Sequence, residues 1–394
     1  ATSGPGISLM TEFIGLAYFA EIPVTLVNVQ RGGPSTGMPT RTQQSDILAC
    51  AYASHGDTKH VLLFPEDPRE CFEHTACALD LADRLQTPVF VMTDLDIGMN
   101  QRLCEPLAWD DARDYDRGKV MSADDLDQKD FGRYNDVDGD GIPWRTLPGT
   151  HPTRGAYFTR GTTRDPYARY SERGPDYIYN VERLLRKFAT AATLVPQPVP
   201  RPAAKRTRLG AIFFGSTSCA MHEALDVLAG QGIHVDALRL RAFPFPDMVK
   251  QFIDAHEQVF VVEQNRDAQL RSLLVNELEI DPAKLRRVLQ HAADRVPLYR
   301  EKFEKAHLRP TDLQSLADLS RFPITEKDEI RDGFPNGCVA SGTDLTRCRI
   351  QQTSGSTGQC MEIALDTRSD DMRALFTQRV YGMQGFSFWR RMAY

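Results

Sequence analysis

Apolar runs and amphipathic stretches alternate along the first hundred residues. Val24–Val29, His60–Phe64 and Pro88–Met92 are short and mostly apolar, as in strands covered on both faces. Between them lie helical stretches at Ile7–Ala20, Ser45–Ser54 and Pro68–Leu85. The third opens with Glu66, Asp67 and Glu70, acids placed where the helix dipole favours them. Strands alternating with helices of this length predict a mostly parallel α/β sheet.

The pattern fades over residues 105–205, where Pro, Gly, Arg, Asp and Tyr dominate. This stretch reads as a long irregular connection. It holds a short helix at Val181–Thr193 and a stiff extended tether, Val195-Pro196-Gln197-Pro198-Val199-Pro200-Arg201-Pro202. Periodicity returns over 207–282. Strands at Leu209–Phe214, Val235–Leu240 and Gln258–Glu263 alternate with helices at Ala220–Gln231 and Pro246–His256. That predicts a second compact α/β unit. Further on, Leu285–Ala306 is a charged amphipathic helix interrupted by Pro297, and the strand Arg349–Gln352 runs into a glycine-rich loop.

At 394 residues the chain is long enough for two or three domains with sizeable cores. The net charge of -6 favours neither nucleic acid nor an anionic membrane surface as partner. No apolar run approaches the ~20 residues that span a bilayer, and no signal-peptide pattern is present. The eight cysteines form no C-x-x-C pair, which argues against a zinc ribbon or ferredoxin-like cluster in this chain. Scattered thiols in a chain this large read as cytoplasmic. Ala1 opens directly on loop chemistry and Phe386–Tyr394 stop without a terminating pattern, so both ends are expected to be cut from something longer.

Chemistry concentrates where the first strand ends. Gln30-Arg31-Gly32-Gly33-Pro34 must turn, and the turn carries one guanidinium with hydroxyls at Ser35, Thr36 and Thr40. Ligands of α/β sheets sit beyond strand carboxyl ends. An Arg fork beside hydroxyls suits a planar carboxylate; a surface loop with a solvated arginine is the alternative. Thr2-Ser3-Gly4-Pro5-Gly6 before a helix suits an anion held by backbone amides, or close helix–strand packing. Asp136, Asp138 and Asp140 resemble half of a calcium loop, but Leu147 stands where a bidentate Glu is needed. A hydrogen-bonded turn cluster is the other reading. Glu263, Gln264 and Asn265 end a strand, as a partner contact or a plain cap. Thr353, Ser354, Gly355, Ser356, Thr357 and Gly358 have phosphate-binding chemistry without the register of a Walker loop.

Five segments together carry a resemblance: ATSGPGISLMTEFIGLAYFAEIP, NVQRGGPSTGMPTRTQQSDI, SHGDTKHVLLFP, DVDGDGIPWRTLPG and VVEQNRDAQ. Over residues 1–282 the chain resembles the alpha subunit of 2-oxoacid:ferredoxin oxidoreductases, and the 2-oxoglutarate (KorA-type) branch fits best. The resemblance implies a pyrimidine-type thiamine diphosphate-binding domain at 1–110, the irregular connection at 111–206 and a transketolase C-terminal-like domain at 207–283. It implies oxidative decarboxylation of a 2-oxoacid to an acyl-CoA, with CoA as co-substrate and electrons passed to ferredoxin. A beta subunit then supplies the diphosphate site, its magnesium ion (Mg2+) and a 4Fe–4S cluster. Arg31 and Thr36 match the family's substrate-carboxylate residues, and Thr2, Ser3 and Gly4 are candidates for cofactor contact. The family's activating glutamate and its Pro-Ile-Thr-Pro motif precede the TSGPG loop, so the activating Glu is expected upstream of Ala1 and no catalytic base is assigned.

The tail is different. VPLYREKFEKAHLRPTDLQSLADLSRFPITEKDEIRD followed by TSGSTG is similar to the N-terminal part of phenylacetate–CoA ligase-like adenylate-forming enzymes. Gln359 replaces a frequent Lys there and Cys360 a usual Pro. Residues 284–394 are therefore expected to be a truncated adenylate-forming segment, fused near residues 283–286. The rival readings are an adenylate-forming ligase fragment and a non-catalytic chimera.

Overall fold

The computed structural model describes residues 1–278, 282–313, 316–352 and 362–366. The chain divides into two compact units, residues 1–278 and 279–394.

In the first unit, helix α1 (Gly4–Ala20) leads to β1 (Val24–Gln30), α2 (Ile47–Ala51), β2 (Val61–Leu63), α3 (Pro68–Leu85), β3 (Pro88–Asp94) and α4 (Leu95–Met99). β1 and β2 both pair in parallel with β3, which lies between them. Every residue of β3 is buried, as its unbroken apolar run requires. α1 starts at Gly4, before the expected Ile7, because Pro5 sits in the first turn, where its missing N–H costs nothing. α2 is shorter than the predicted Ser45–Ser54.

Apart from one short helix, residues 105–173 hold no named helix or strand, as an irregular connection should. α5 (Ala123–Gln128) has a capping box at Ser122, and α6 runs over Gly174–Leu194, well beyond the predicted Val181–Thr193. The buried positions of α6 include Asn180, Arg183 and Lys187, so polar residues occupy its inner stripe and hide its period. Those cations meet Glu21, which ends α1 at φ 61. Arg183 grips Glu21 with both terminal nitrogens, Lys187 lies 2.8 Å away and Arg164 3.6 Å away, all essentially dry. Burial alone would raise the Glu21 carboxyl; the charges of Arg183 and Lys187 overcome this and hold it far below the carboxylate range.

The second sheet takes β4 (Val199–Arg201), β5 (Leu209–Phe214), then, after α7 (Thr217–Gly230), β6 (Asp236–Leu240), in the order β4-β6-β5-β8. The predicted tether therefore contributes an edge strand, Val199–Arg201, antiparallel to β6. After Arg241, the two-residue strand β7 (Ala242–Phe243) leaves this sheet and pairs antiparallel with β2 of the first. α8 (Asp247–Ala255), β8 (Gln258–Val262) and α9 (Gln269–Glu277) complete the unit. One apolar cluster is shared by both sheets, from Leu26, Phe64 and Phe90 to Phe214, Leu240 and Leu270.

A buried ion pair ties α3 to the second sheet. Arg239 bonds Glu70 bidentately at 2.7 and 3.0 Å, and Arg241 lies 2.9 Å from the same carboxylate. Arg241 donates to His74 Nε2, so that ring nitrogen accepts and the imidazole is neutral; burial holds its pKa down, at about 4. Burial would raise Glu70, but the Arg239 hydrogen bond and the arginine charges outweigh it and bring the carboxyl from 4.5 to about 2. A depressed folded value means stability that is present above pH 4.5 and lost as pH falls towards 2. Urea midpoints of wild type and E70Q should therefore differ at neutral pH and converge across that window. A pH-independent difference would contradict the coupling.

The second unit holds α10 (Pro282–Arg295), α11 (Pro297–Lys305) and α12 (Lys327–Gly333). Pro297 breaks the predicted long helix in two, with Phe303, Leu313 and Phe322 as its small core. β9 (Arg349–Gln352) and β10 (Glu362–Leu365) pair antiparallel. The loop Thr353–Gly358 lies outside the described residues. Among the described residues no helix is long and apolar enough to cross a membrane.

Candidate functional site

The site forms at the carboxyl end of β1, where three loops converge. Thr2 bridges β1 from outside, its amide donating to Val27 and its carbonyl accepting from Val29, each at 2.8 Å. This sets Ser3 beside the strand end. Arg31 follows β1 directly and is half-buried. Its Nε donates to Ser3 Oγ at 3.0 Å and its Nη1 to the Thr36 carbonyl at 3.2 Å. Arg31 forms no ion pair among the described residues. The structure thus brings Arg31 and Thr36 together, through the Thr36 backbone. Ser35, Thr36 and Thr40 are exposed.

The loop folds back on itself by the Gly32–Met38 bridge, with Gly32 accepting from Met38 at 2.8 Å. Gly37 makes this closure at φ +45, and a Cβ there would stand 2.2 Å from the Gly32 oxygen. G37A must push the loop open. We expect the affinity of this loop for a carboxylate ligand to fall about 10- to 100-fold while Tm changes little, because the loop is exposed. A binding titration with a thermal scan checks both.

Asp46, absent from the sequence expectations, faces this loop. It takes the Asn28 amide at 3.2 Å, lies against Gly4 at the start of α1 and feels the Arg31 charge. Burial raises its pKa, against those three stabilising contacts. The Thr2 backbone is paired with β1, the Ser3 hydroxyl with Arg31, and the Asp46 carboxylate lies against Gly4. The only sequence signal for Asp46 was its place before a short helix, which reads as an ordinary N-cap.

The base of the loop is clamped by the second sheet. Gln44 is buried. Its amide donates to the Gln264 carbonyl at 2.9 Å, its carbonyl accepts from Asn265 at 2.8 Å, and its side chain reaches Asp94, Phe214 and Thr217. Asp94 also accepts from Ser216 at 2.6 Å and caps α4. Gln264 donates to Ser216 and Thr217, and the Glu263 carboxylate accepts the Leu270 and Arg271 amides of α9. Glu263, Gln264 and Asn265 are therefore neither a surface cap nor free for a partner. They lock the Arg31–Asp46 loop to the second sheet.

The aspartate loop is a turn cluster. Asp136 accepts the Gly139 and Gly141 amides, and Lys119 sits 2.6 Å from Asp138 and 2.8 Å from Asp140, where a cation would lie. Among the described residues no group of three His, Cys, Asp or Glu is arranged to hold a metal.

Residues 1–126 match the family model described as pyruvate flavodoxin/ferredoxin oxidoreductase, thiamine diphosphate-binding. The alpha subunit of 2-oxoacid:ferredoxin oxidoreductase 2 from Aeropyrum pernix is 32% identical over 286 residues, covering 71% of this chain and 43% of that protein. The 2-oxoglutarate synthase subunit KorA of Methanocaldococcus jannaschii is 30% identical over 274 residues, 67% of this chain and 69% of that protein. A solved 2-oxoglutarate:ferredoxin oxidoreductase from Magnetococcus marinus, with 2-oxoglutarate, coenzyme A and succinyl-CoA bound, superposes with a TM-score of 0.59 at 26% identity, over 70% of this chain and 47% of that one. The chain spans less than half the length of the first of these relatives. The chain belongs to the family of 2-oxoacid:ferredoxin oxidoreductase alpha subunits that includes KorA.

Proposed function

We propose that this chain supplies the substrate-recognition half of a thiamine diphosphate-dependent 2-oxoacid:ferredoxin oxidoreductase acting on 2-oxoglutarate or a related 2-oxoacid. The observation that carries this reading is the Arg31 guanidinium, held at the mouth of the first sheet and free of any ion pair among the described residues. Arg31 holds the keto acid's carboxylate by charge-assisted hydrogen bonds and the Thr36 hydroxyl adds one more. The clamp from Gln264 and Asn265 keeps that loop in place. Thiamine diphosphate, when bound, supplies the carbanion chemistry that decarboxylates the acid.

The cofactor's polar end belongs elsewhere in this scheme. The amide end of α1 is filled by Asp46, and that supports leaving the diphosphate and Mg2+ to a beta subunit, together with the 4Fe–4S cluster that passes electrons to ferredoxin. Residues 1–110 then form the pyrimidine-side domain and 207–283 the transketolase C-terminal-like half. The seven described cysteines are free thiols, in keeping with a reducing compartment such as the cytoplasm. The test is the complete alpha subunit with its beta subunit, assayed for CoA-dependent dye reduction. Reduction with 2-oxoglutarate is expected; a complex inactive with every 2-oxoacid tried would overturn the reading.

The tail has its own reading. The antiparallel strands β9 and β10 flank residues 353–361 in the sequence, and the Thr353–Gly358 chemistry between them supports a phosphate loop of an adenylate-forming segment. Isothermal titration with ATP tests it. Heat supports nucleotide binding, and absence of heat leaves the tail without a ligand.

A further inference from the structure

Helix α1 has its cap residues exchanged. Ser3 occupies the N-cap position with extended backbone, φ -130, yet its side chain makes no bond to the helix amides. Such a serine ordinarily accepts an amide of the first turn. Here the Asp46 carboxylate comes in from the next loop and lies against Gly4 at the start of the helix instead. Gly4 permits this approach, since a Cβ there would stand 2.8 Å from Asp46 Oδ1. The exchange leaves the Ser3 hydroxyl free to accept from Arg31 Nε at 3.0 Å.

We propose that Ser3 is a positioning residue for the substrate carboxylate: it anchors the Arg31 guanidinium so that the remaining N–H groups are set for a planar anion. The inference rests on the role given to Arg31 above. A guanidinium has five N–H donors in a rigid plane. Ser3 takes the one on Nε and the Thr36 carbonyl takes one on Nη1. Two such bonds at different nitrogens fix both the place and the tilt of the plane. The donors left are those on Nη2 and the second on Nη1. Without the Ser3 hydroxyl the long side chain regains rotamer freedom, which a bound carboxylate must then remove.

The experiment compares S3A, S3T, R31A and the S3A/R31A double variant in the complete alpha subunit assembled with its beta subunit. S3A should raise KM for the 2-oxoacid about 5- to 10-fold, the size of one net hydrogen bond, with a smaller change in kcat. Tm should hold, because the Ser3 side chain makes no bond to the helix amides. S3T keeps a hydroxyl at the same place and should restore KM. The double variant should bind no worse than R31A alone, since Ser3 acts only through Arg31. If R31A raises KM but S3A does not, or if S3T behaves as S3A, the role of Ser3 is wrong and that of Arg31 stands. A fall in Tm without a rise in KM makes Ser3 a plain helix cap and overturns the inference. Should R31A itself leave KM unchanged, the reading of the loop fails and the inference falls with it.

Discussion

Replacing Glu21 with glutamine should destabilise the first unit by about 3–5 kcal/mol, a fall in Tm on the order of 10 °C. Glu21 is the single carboxylate among Arg164, Arg183 and Lys187, all of which are almost entirely buried. Arg133 adds a fourth buried cation, donating to the Glu21 carbonyl at 3.1 Å. The Tyr134 ring softens the excess, lying 3.9 Å from Arg164 and 4.8 Å from Arg133. A neutral amide would leave these cations without a counter-charge in a dry interior. The pair is worth little as a net gain against a well-packed apolar core; the cost comes from breaking it on one side. Adding K187M to E21Q removes one stranded cation and should recover part of the loss, a non-additivity readable by chemical denaturation. The acid limb gives an independent check. The depressed Glu21 carboxyl stabilises the fold above its unfolded value of 4.5, and this is lost as pH falls below it. E21Q should flatten that limb. A cost under about 1 kcal/mol, the range of an exposed pair, would contradict the account.

How much of this was legible in the sequence depends on what each residue touches. The central strands of both sheets were readable because burial on two faces demands unbroken apolar runs, as in Leu209–Phe214, whose limits match the structure. α6 was only half readable. Asn180, Arg183 and Lys187 lie on its inner face because their partners, Arg164 and Glu21, are far away in sequence. β7 could not be read at all: two residues become a strand only because β2 of the other sheet lies beside them. The same divide runs through the site. Arg31, with its glycines and hydroxyls, carried a local signal. Asp46 and Gln44 carried none, since their roles come from contacts with Gly4, Asn28, Gln264 and Asn265. The TSGPG loop has the chemistry for an anion, and the one anion the structure places near it is the Asp46 carboxylate beside Gly4.

R31A should cost the substrate about 3 kcal/mol of binding, roughly a 150-fold rise in KM. A carboxylate held by two charge-assisted bonds loses both, and a neighbouring hydroxyl at Thr36 cannot replace a charge. R31K keeps the charge but loses the planar fork and the Nε contact to Ser3, so its KM should fall between wild type and R31A. The effect belongs to binding, not folding. Arg31 is half-buried and has no ion pair among the described residues, so its loss strands no partner charge, and Tm should stay close to wild type. One local change is expected. Burial already raises Asp46, and Arg31 is among the groups that hold it down; in R31A the Asp46 carboxyl should rise further. Because the folded Asp46 value already lies above the unfolded one, this group should cost R31A a little more stability at neutral pH than it costs wild type, a small loss that is recovered as pH falls. Isothermal titration of the assembled enzyme with the 2-oxoacid at neutral pH separates the two effects. Unchanged affinity in R31A would remove the reason for placing a carboxylate at this loop.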